Sequence, residues 1–455
     1  MQKSGRACAV LFLVLAICAI LILQEGAANP SASASLGQTL FKEATVLWER
    51  TYGGAGDDRA FCLASSKHGF VVAGSSASLE IGKTAGWVLQ LDYDGNMLWN
   101  RTFIEEAESE FRYVLSLDDG FLLVGNIFLP SGAVDGYVAE IDSLGNLKWN
   151  VTLDNGKTDK LFSASKAQDG FVLVGLSDSF SDNSDVWVVK INGSGAIVWN
   201  KTYGWTMEDA GRAVISTEDN NFIVAGYTNS IGNGDYDFLL LKIDNSGNLL
   251  WTKTYGGAQS DKAYALAKTA NECLIVGDTR SKGEGESDAW IIKADLNGAL
   301  IWETTVGGKG FDMPTCVACS KDGGYLIGGF TFSFGEGMRD FWLFKIDEAG
   351  RLLWGSTVGR SAYEEAYGVL DVAENEYVMA GWTNSIGKGY YDFYIVKIRI
   401  ENENGLLPVY QLIFSALATA ILALSLLLLL IKRRGNRKIS GSDGHSGLKQ
   451  SNHSL

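Results

Sequence analysis

Acidic side chains recur at nearly constant spacing along the chain and are the first residues whose chemistry needs explaining. Those at one repeated place are Asp58, Glu110, Asp159, Asp209, Asp261, Asp312 and Glu365. Like charges held close together repel, so a ring of carboxylates either binds cations or stays well solvated. The candidate ligands of such a ring are Asp58, Asp159, Asp209, Asp261, Asp312 and Glu365, with Ca²⁺ as the ion. The sequence predicts no other cofactor.

A second acidic set stands at the start of repeated apolar runs. Its members are Asp135, Asp185, Asp237, Asp288, Asp340 and Asp392, and Ala85 takes the corresponding place in the first repeat. Short carboxylates at loop ends commonly accept hydrogen bonds from nearby backbone N–H groups. We therefore expect these residues to hold the loop that precedes each run.

Catalytic bases are scarce. Hydrolysis and group transfer usually need a base that titrates near neutrality, most often histidine. Between residues 29 and 400 the chain has a single histidine, His68, in a predicted turn. This composition disfavours Ser-His-Asp, Cys-His and His-rich metal sites, whereas a glycosidase-like pair of carboxylates stays open.

The cysteines are equally weak candidates. Cys316 and Cys319 are spaced as C-x-x-C but fall in a predicted strand, where residues three apart point to opposite faces. We expect these two, with Cys62 and Cys273, to be buried free thiols rather than metal ligands or a redox pair.

The elements that must position these residues come from a repeat. The phrase W-x-[KR]-T-Y-G-G recurs with its tryptophan at Trp48, Trp99, Trp149, Trp199, Trp251, Trp302 and Trp354, and the intervals are 51, 50, 50, 52, 51 and 52 residues. Each unit contains four apolar runs separated by turn residues, for example 211–217, 222–227, 237–243 and 249–255. Four antiparallel strands of this kind form one blade of a β-propeller.

The two ends of the repeat region complete each other. The first tryptophan strand, 45–52, lacks the three strands that precede its counterparts, and the last unit ends after its third strand, 392–400. Pairing them removes two open sheet edges. The sequence therefore predicts an all-β, seven-bladed propeller of four-stranded antiparallel blades, closed by its N-terminal strand, with the tryptophans packed between blades. A solenoid of stacked strands is the alternative.

Residues 45–400 resemble secreted bacterial and archaeal propeller repeat proteins with the motifs W-x-K-T-Y-G-G, D-G-G-[YF] and D-x-[WF]-x-x-K-[IL]-D. These motifs are carried here by 251–257, 322–325 and 340–347. The segment D-x-x-G-x-x-x-W at 244–251 is also distantly similar to quinoprotein-like (PQQ-like) repeats, although its turn is one residue shorter. The resemblance implies a binding or assembly module, with a quinoprotein-like enzyme as an alternative.

Both ends of the chain carry membrane-related signals. Residues 1–28 read as a signal peptide, 29–43 as a linker, 44–400 as the propeller, 401–405 as a stalk, 406–431 as a transmembrane helix and 432–455 as a disordered tail. The basic residues after the apolar stretch predict a cytoplasmic tail, so the propeller lies outside the cell membrane on a single-pass anchor. The formal net charge of −15 disfavours nucleic acid as a partner.

Ligand recognition is expected on the face with the longer loops, away from the membrane. Its candidate residues are Trp205, Tyr227, Asp278, Phe330, Trp382, Tyr390 and Tyr391. Aromatic rings beside acceptor groups suit sugars, so we expect a non-catalytic module for a glycan, a protein or an envelope component, with a carboxylate-based glycan hydrolase or lyase as the alternative. Replacing Trp382 and Tyr227 by alanine should weaken binding without lowering the melting temperature. Candidate glycosylation sites are Asn100, Asn150, Asn192 and Asn200.

Overall fold

A computed structural model describes residues 40–78, 82–103, 107–269 and 271–401, together with Ser425. In the described residues, the chain up to Ile400 forms one compact unit built of β-strands. The strands are β1 (Ala44–Tyr52), β2 (Asp58–Ser66), β3 (Gly69–Ser76), β4 (Ala85–Leu91), β5 (Met97–Phe103), β6 (Glu108–Leu117), β7 (Gly120–Phe128), β8 (Val134–Ile141), β9 (Leu147–Leu153), β10 (Asp159–Ala167), β11 (Gly170–Ser177), β12 (Asp185–Asn192), β13 (Ile197–Tyr203), β14 (Asp209–Ser216), β15 (Phe222–Thr228), β16 (Asp237–Ile243), β17 (Leu249–Tyr255), β18 (Asp261–Lys268), β19 (Glu272–Thr279), β20 (Asp288–Asp295), β21 (Leu300–Val306), β22 (Asp312–Cys319), β23 (Tyr325–Thr331), β24 (Asp340–Ile346), β25 (Leu352–Val358), β26 (Glu364–Ala373), β27 (Glu376–Thr383) and β28 (Asp392–Ile400).

These strands form seven four-stranded antiparallel sheets in the described part of the chain. Blade 1 is β2 to β5, blade 2 is β6 to β9, and the pattern continues to blade 6, β22 to β25. We call the four strands of a blade a, b, c and d, from the central channel outward. Seven apolar clusters lie in the described residues, and each is shared by two adjacent blades. Strands b and c are buried on both faces because every blade is packed between two others.

Blade 7 is closed by the two ends of the propeller. Its order is β1-β28-β27-β26, and β1 pairs antiparallel with β28 from Ala44 opposite Ile400 to Tyr52 opposite Phe393. Side chains support the pairing, because Glu49 accepts hydrogen bonds from Tyr394 at 2.8 Å and from Arg360 at 2.6 Å. The predicted seven blades and their closure by the N-terminal strand are confirmed.

The repeated tryptophans each dock on a neighbouring blade. In blade 4, Trp251 faces Gly298 of the turn between strands c and d of blade 5, and a Cβ on that glycine would lie 3.1 Å from the indole ring. Gly298 has φ +73°, a backbone conformation that favours glycine. The same contact joins Trp48 to Gly95, so the closing strand is held by blade 1 as well as by β28. The predicted packing of tryptophans between blades is confirmed.

In blades 3 to 7, a lysine of strand c pairs with an acid at the blade end that carries the short a-to-b and c-to-d turns. Lys190, near the end of strand c, is 2% exposed and lies 2.8 Å from Asp169 in the a-to-b turn. Lys242 and Asp219 form the same pair at 3.0 Å, and Lys345 pairs with Asp322. A buried ammonium needs a partner, so the lysine of strand c and the acid of the turn depend on each other.

The predicted signal peptide, most of the linker, the stalk beyond Glu401, the transmembrane segment apart from Ser425 and the tail lie outside the described residues. Among the residues that are described, no helix has the length and apolar character needed to cross a membrane. At the end of the predicted linker, Phe41 pairs with Gly355 as an isolated bridge, and its ring centroid lies 4.1 Å from that of Phe334. The N-terminal segment therefore contacts blade 6 before it enters blade 7.

Candidate binding site in the central channel

The seven inner strands surround a cavity of about 340 Å³ on the propeller axis. Each inner strand carries a β-bulge against strand b, for example between Ala60 and Cys62. The extra residue of each bulge lines the cavity or its immediate wall. We call these seven residues the collar: Phe61, Arg112, Phe162, Arg212, Tyr264, Thr315 and Tyr367.

Aromatic rings and cations alternate over five of the seven collar positions, from Phe61 to Tyr264. The guanidinium carbon of Arg112 lies 4.1 Å from the ring centroid of Phe61, and that of Arg212 lies 4.0 Å from Phe162 and 5.6 Å from Tyr264. Cation–π contacts of this kind fix the planar guanidinium and leave its edge free to donate hydrogen bonds. The collar therefore presents oriented donors beside flat apolar surfaces.

The two arginines differ in how their charge is balanced. Arg112 lies 3.8 Å from a carboxylate oxygen of Glu110, whereas Arg212 has no ion-pair partner among the residues the structure describes. Its Nε is buried and lacks a hydrogen-bond partner. Burial, and then the neighbouring charge of Arg112, lowers the pKa of Arg212. A carboxylate, sulfate or phosphate entering the channel would supply the missing counter-charge.

The predicted ring of carboxylates at the channel mouth does not form. Asp58, Asp159, Asp209, Asp261 and Asp312 are fully buried at the start of strand a, and each is bonded within its own blade. In blade 5, for example, Asp261 accepts hydrogen bonds from Thr279, from Ser281 at 2.8 Å and from the backbone N–H of Gly257 at 2.8 Å. These carboxylates therefore pin the d-to-a loop to strand b, which is why the repeat requires them.

Two members of the set were assigned one residue out of register. The structural counterparts of Asp261 are Ser109 in blade 2 and Glu364 in blade 7. Each of the three stands three residues before the extra residue of its bulge. Glu364 accepts hydrogen bonds from Thr383 at 2.6 Å and from the N–H of Arg360 at 2.9 Å. Glu365 instead pairs with Arg339, and Glu110 accepts from Asn126 at 3.0 Å. The error arose because two adjacent polar residues cannot be told apart in the sequence while the position of the bulge is unknown.

The acids that head strand c have the loop-holding role expected of them in four blades. Asp288 accepts N–H groups of Glu284 at 2.7 Å and Gly285 at 3.3 Å, and Asp237, Asp340 and Asp392 accept similar bonds. Burial raises the pKa of Asp288 to about 6, with the negative charge of Asp312 adding to the effect. A Cβ at Gly307, the first glycine of the W-x-x-x-x-G-G phrase, would overlap the other oxygen of Asp288, which explains the motif.

Several ligand-face candidates prove to be buried on strand b, behind the inner strands that line the channel. Tyr227, Asp278, Phe330 and Trp382 occupy equivalent places on strand b, opposite the second residue of strand a, and they are 9%, 6%, 4% and 7% exposed. The aromatic ones already hold this protein's own cations. Arg59 lies 5.6 Å from the Trp382 ring and 4.2 Å from the Tyr391 ring, Lys262 lies 4.7 Å from Tyr227, and Arg339 lies 5.0 Å from Phe330.

Two ligand-face candidates are open. Trp205, in a d-to-a loop, is 38% exposed, and Tyr390, in a b-to-c loop, is 79% exposed. Antiparallel topology places both kinds of loop at the same end of the propeller, which we call the loop face. These two rings are the ones that a large ligand could reach without any rearrangement of the blade.

His68 and the cysteines take no part in the channel's polar chemistry. His68 is exposed in the turn between β2 and β3, as predicted. All four cysteines in the described chain are free thiols, and burial raises the pKa of Cys62, Cys273 and Cys316 to about 12. Cys319 is exposed rather than buried, because it lies at the end of β22 beyond the packed part of the strand.

The candidate glycosylation sites differ in accessibility. Asn100, Asn150 and Asn200 lie on the outermost strands, as expected, and the first two are exposed. Asn200 is half-buried, with its Nδ2 donating to Asn155 at 2.8 Å and its Oδ1 accepting from Trp187 at 2.7 Å. Asn192 accepts backbone N–H groups in a turn. Modification of these sites stays a prediction.

The collar was missed by the sequence analysis although a signal existed. Five of its seven members stand three residues after an acid of the set that was assigned to the correct place: Phe61, Phe162, Arg212, Tyr264 and Thr315. A strand with strict alternation would send every second side chain to one face. The bulge shifts that register, so the convergence of these residues could be found only by combining all repeats.

No protein-family model matches the chain, and no curated protein matches its sequence. Among solved structures it is similar to Sqt1 from Chaetomium thermophilum, at 12% identity over 79% of this chain and 100% of that one, with a TM-score of 0.44. It is also similar to a protein of unknown function from Dyadobacter fermentans (13% identity, 79% and 99%, TM-score 0.43). A third is the β-propeller domain of the Trilobed protease from Pyrococcus furiosus (12% identity, 78% and 99%, TM-score 0.44). Likenesses of this size do not bear on ligand or activity, and the resemblance to W-x-K-T-Y-G-G and quinoprotein-like repeats stays a prediction.

Proposed function

We propose that this protein is a non-catalytic binding module, anchored to the cell membrane by its C-terminal segment, which takes an acidic glycan at the loop-face end of its central channel. The observation that carries the proposal is Arg212, a guanidinium oriented by two aromatic rings in a cavity and lacking a carboxylate partner in the described chain. A guanidinium edge suits a carboxylate or sulfate, since two parallel hydrogen bonds can form. The neighbouring rings suit the apolar face of a sugar.

The volume of the channel and the positive charge of Arg212 suit a short stretch of an acidic glycan chain rather than a whole macromolecule. A cavity of about 340 Å³ is at the lower end of small-ligand sites, so it fits one or two sugar units. The open rings of Trp205 and Tyr390 on the loop face would meet the rest of the glycan. The membrane anchor rests on the sequence signals at 1–28 and 406–431, which would leave the propeller outside the cell.

A carboxylate-based hydrolase or lyase is less well supported. Two acids with different environments must flank the bond that breaks. The acids beside the collar already have partners: Glu110 accepts from Asn126, Glu365 pairs with Arg339, and Asp278 accepts from Ser287 at 2.5 Å. The only histidine of the propeller lies in the turn between β2 and β3, away from the collar in its own strand pair.

The direct test compares acidic and neutral ligands of equal length. Oligomers of galacturonic acid and of galactose would be titrated into the full-length protein in detergent, and heat of binding would be measured. We expect the acidic oligomer alone to bind, and Arg212→Met to weaken that binding about 10- to 100-fold, because a charged hydrogen bond contributes about 1.5–3 kcal/mol. Arg101→Gln, at a half-buried arginine beside Trp99 on the outer strand, is the matched control.

The outcome also decides between the functional classes. Equal binding of the two oligomers, or binding that Arg212→Met leaves unchanged, would contradict the proposal. Cleavage of the acidic oligomer during the titration would favour the hydrolase or lyase instead.

A further inference from the structure

Three carboxylates converge at the junction of blades 2 and 3, outside the channel. Asp135 heads strand c of blade 2, Asp154 follows strand d of the same blade, and Asp159 heads strand a of blade 3. One oxygen of each lies within 4.8 Å of the others, and no other set of three acidic, histidine or cysteine side chains in the described residues is this close. None of the three forms an ion pair with a basic side chain in that part of the chain.

The convergence results from one departure from the repeat. Register places Asp154 where five other blades have the first glycine of the G-G phrase: Gly53, Gly204, Gly256, Gly307 and Gly359. In those blades the glycine lies against Oδ1 of the strand-c aspartate, and a Cβ would overlap that oxygen. Blade 2 alone replaces a glycine by a third carboxylate at this place, directly beside two buried ones.

Blade 2, in the described residues, also lacks the backbone N–H donors that bond Oδ2 of the strand-c aspartate in blades 4 to 7. Its b-to-c loop is shorter, and Gly132 has nothing within 4 Å of its Cβ position, whereas Gly283 of blade 5 lies against Asp288. Asp135 is 3% exposed, and its Oδ1 is buried without a hydrogen-bond partner, as is Oδ1 of Asp185, Asp237, Asp288 and Asp340. Asp135 differs from Asp237, Asp288 and Asp340 because no backbone N–H group of the described chain bonds its Oδ2 either. A buried, unpartnered carboxylate oxygen facing two further carboxylates is costly unless a cation lies between them.

The remaining oxygens leave room for a ligand. Asp159 accepts hydrogen bonds from Ser179 at 3.0 Å and from the N–H of Asn155 at 2.9 Å through Oδ2 and one from Ser177 through Oδ1, so Oδ1 can accept again. Asp154 accepts the N–H of Gly156 through Oδ1 at 2.7 Å and is exposed. The site is thus closed on the side of the blades and open to solvent at Asp154, which provides a path for an ion.

We propose that Asp135, Asp154 and Asp159 bind a Ca²⁺ ion that ties blade 2 to blade 3. Ca²⁺ takes 6–8 oxygen ligands in flexible geometry, so three carboxylates with one or more bidentate contacts and a few waters complete its shell. Mg²⁺ demands a near-ideal octahedron and releases its water reluctantly, which suits a half-open set of three acids less well. The charge of the ion would offset the repulsion among the three acids, so binding stabilises the folded chain.

Terbium luminescence tests the site directly. Tb³⁺ is a Ca²⁺ analogue that emits when a nearby tryptophan is excited, and the ring of Trp187 lies 3.1 Å from the Cβ position of Gly136, next to Asp135. We expect the full-length protein to sensitise Tb³⁺ and Ca²⁺ to displace it. Asp154→Gly restores the residue of five other blades, and Asp154→Asn keeps the side chain's size. Both should weaken Tb³⁺ binding at least about ten-fold, because affinity depends on the number of charged ligands.

Asp182→Asn is the matched control, since Asp182 is an exposed acid of blade 3 outside the cluster. In parallel, Ca²⁺ should raise the melting temperature of the wild type and of Asp182→Asn but not of Asp154→Gly. In a chelator the first two should melt alike, and Asp154→Gly should melt no lower than they do, because one of three repelling charges is gone. Loss of Tb³⁺ emission in Asp182→Asn, or unchanged affinity in both Asp154 variants, would overturn the proposal. Displacement of Tb³⁺ by Mg²⁺ as readily as by Ca²⁺ would overturn the choice of ion.

Discussion

Individual buried carboxylates set how this protein responds to pH. Burial raises the pKa of Asp288 to about 6, against roughly 3.9 in an unfolded chain. The folded state therefore holds a proton between these values that the unfolded state has released. Stability from this group is fully present below pH 4 and is lost as the pH rises through 6.

Asp288→Asn should remove that dependence, because an amide does not titrate and its oxygen can still accept the N–H groups of Glu284 and Gly285. Relative to the wild type, the variant should gain unfolding free energy from pH 4 to pH 7, by at most about 3 kcal/mol. Urea denaturation at a series of pH values measures the difference. A constant difference between variant and wild type across that range would show that Asp288 does not titrate there.

Trp382 is a second residue whose burial decides the outcome of a mutation. It is 7% exposed and packs against Tyr391 at a ring distance of 4.7 Å while holding Arg59. Trp382→Ala should therefore destabilise the propeller by about 3–5 kcal/mol, as large-to-small changes in packed sites do. This corrects the expectation that the loop aromatics could be removed without lowering the melting temperature. Trp205→Ala, at an exposed ring, should leave the urea midpoint nearly unchanged and serves as the control.

At the scale of elements, the c-to-d turn matters because a neighbouring blade depends on its shape. Gly298 has φ +73° and faces Trp251, whereas Gly323 has φ +94° with nothing within 4 Å of its Cβ position. Gly323→Ala should cost about 1–2 kcal/mol, the price of a left-handed alanine. Gly298→Ala should cost more, because its methyl group would also lie 2.7 Å from Cγ of Lys253 and 3.1 Å from the indole of Trp251.

The unfolding free energy lost in Gly298→Ala beyond that lost in Gly323→Ala reports the contact between the c-to-d turn and Trp251. Combining each with Trp251→Ala completes the comparison: the cost of Gly298→Ala should fall towards that of Gly323→Ala once the indole is gone, whereas the cost of Gly323→Ala should stay the same. Unfolding free energies from urea titrations give all the terms. Strictly additive costs at Gly298 and Trp251 would mean that the contact between blades adds little.

At the scale of the whole molecule, stability depends on closing the ring. β1 is held in the ring by its hydrogen bonds to β28 and the two bonds to Glu49, and by contacts with blade 1. The contacts with blade 1 are the docking of Trp48 on Gly95 and the hydrogen bonds that Trp48, Arg50 and Tyr52 donate to the turn at 93–95. A chain that begins at Gly53 should lose these contacts together, expose the edge of β28 and unfold at a much lower urea concentration. A chain that begins at Leu40 keeps them and is the control.

Exposed strand edges also pair with other chains, so the shortened protein should associate on a sizing column. A synthetic peptide of residues 44–52 should restore the monomer and part of the lost stability. If the chain that begins at Gly53 unfolds at the same urea concentration as the control, the closure contributes no stability.

The sequence by itself determined the number of blades, the closure by the N-terminal strand and the docking of the tryptophans. These features follow from a sequence motif that occurs seven times, so an uncertain strand boundary in one copy is settled by the other copies. The loop-holding role of the strand-c acids and the turn position of His68 were predicted correctly, because each residue type has one dominant physical explanation at its place in the repeat. The same reasoning could not separate Glu110 from Ser109 or Glu365 from Glu364, since adjacent polar residues differ only in the face they take.

Only the tertiary structure decided which polar residues meet. A β-bulge in every inner strand turns the collar into the channel, and no local pattern fixes the place of a bulge. Burial depends on neighbours that are distant in sequence. Tyr227 and Trp382 were predicted to be open to a ligand, but they are buried and make cation–π contacts with Lys262 and Arg59. The convergence of Asp135, Asp154 and Asp159 likewise joins two blades, so it exists only once the ring has assembled and its blades are in contact.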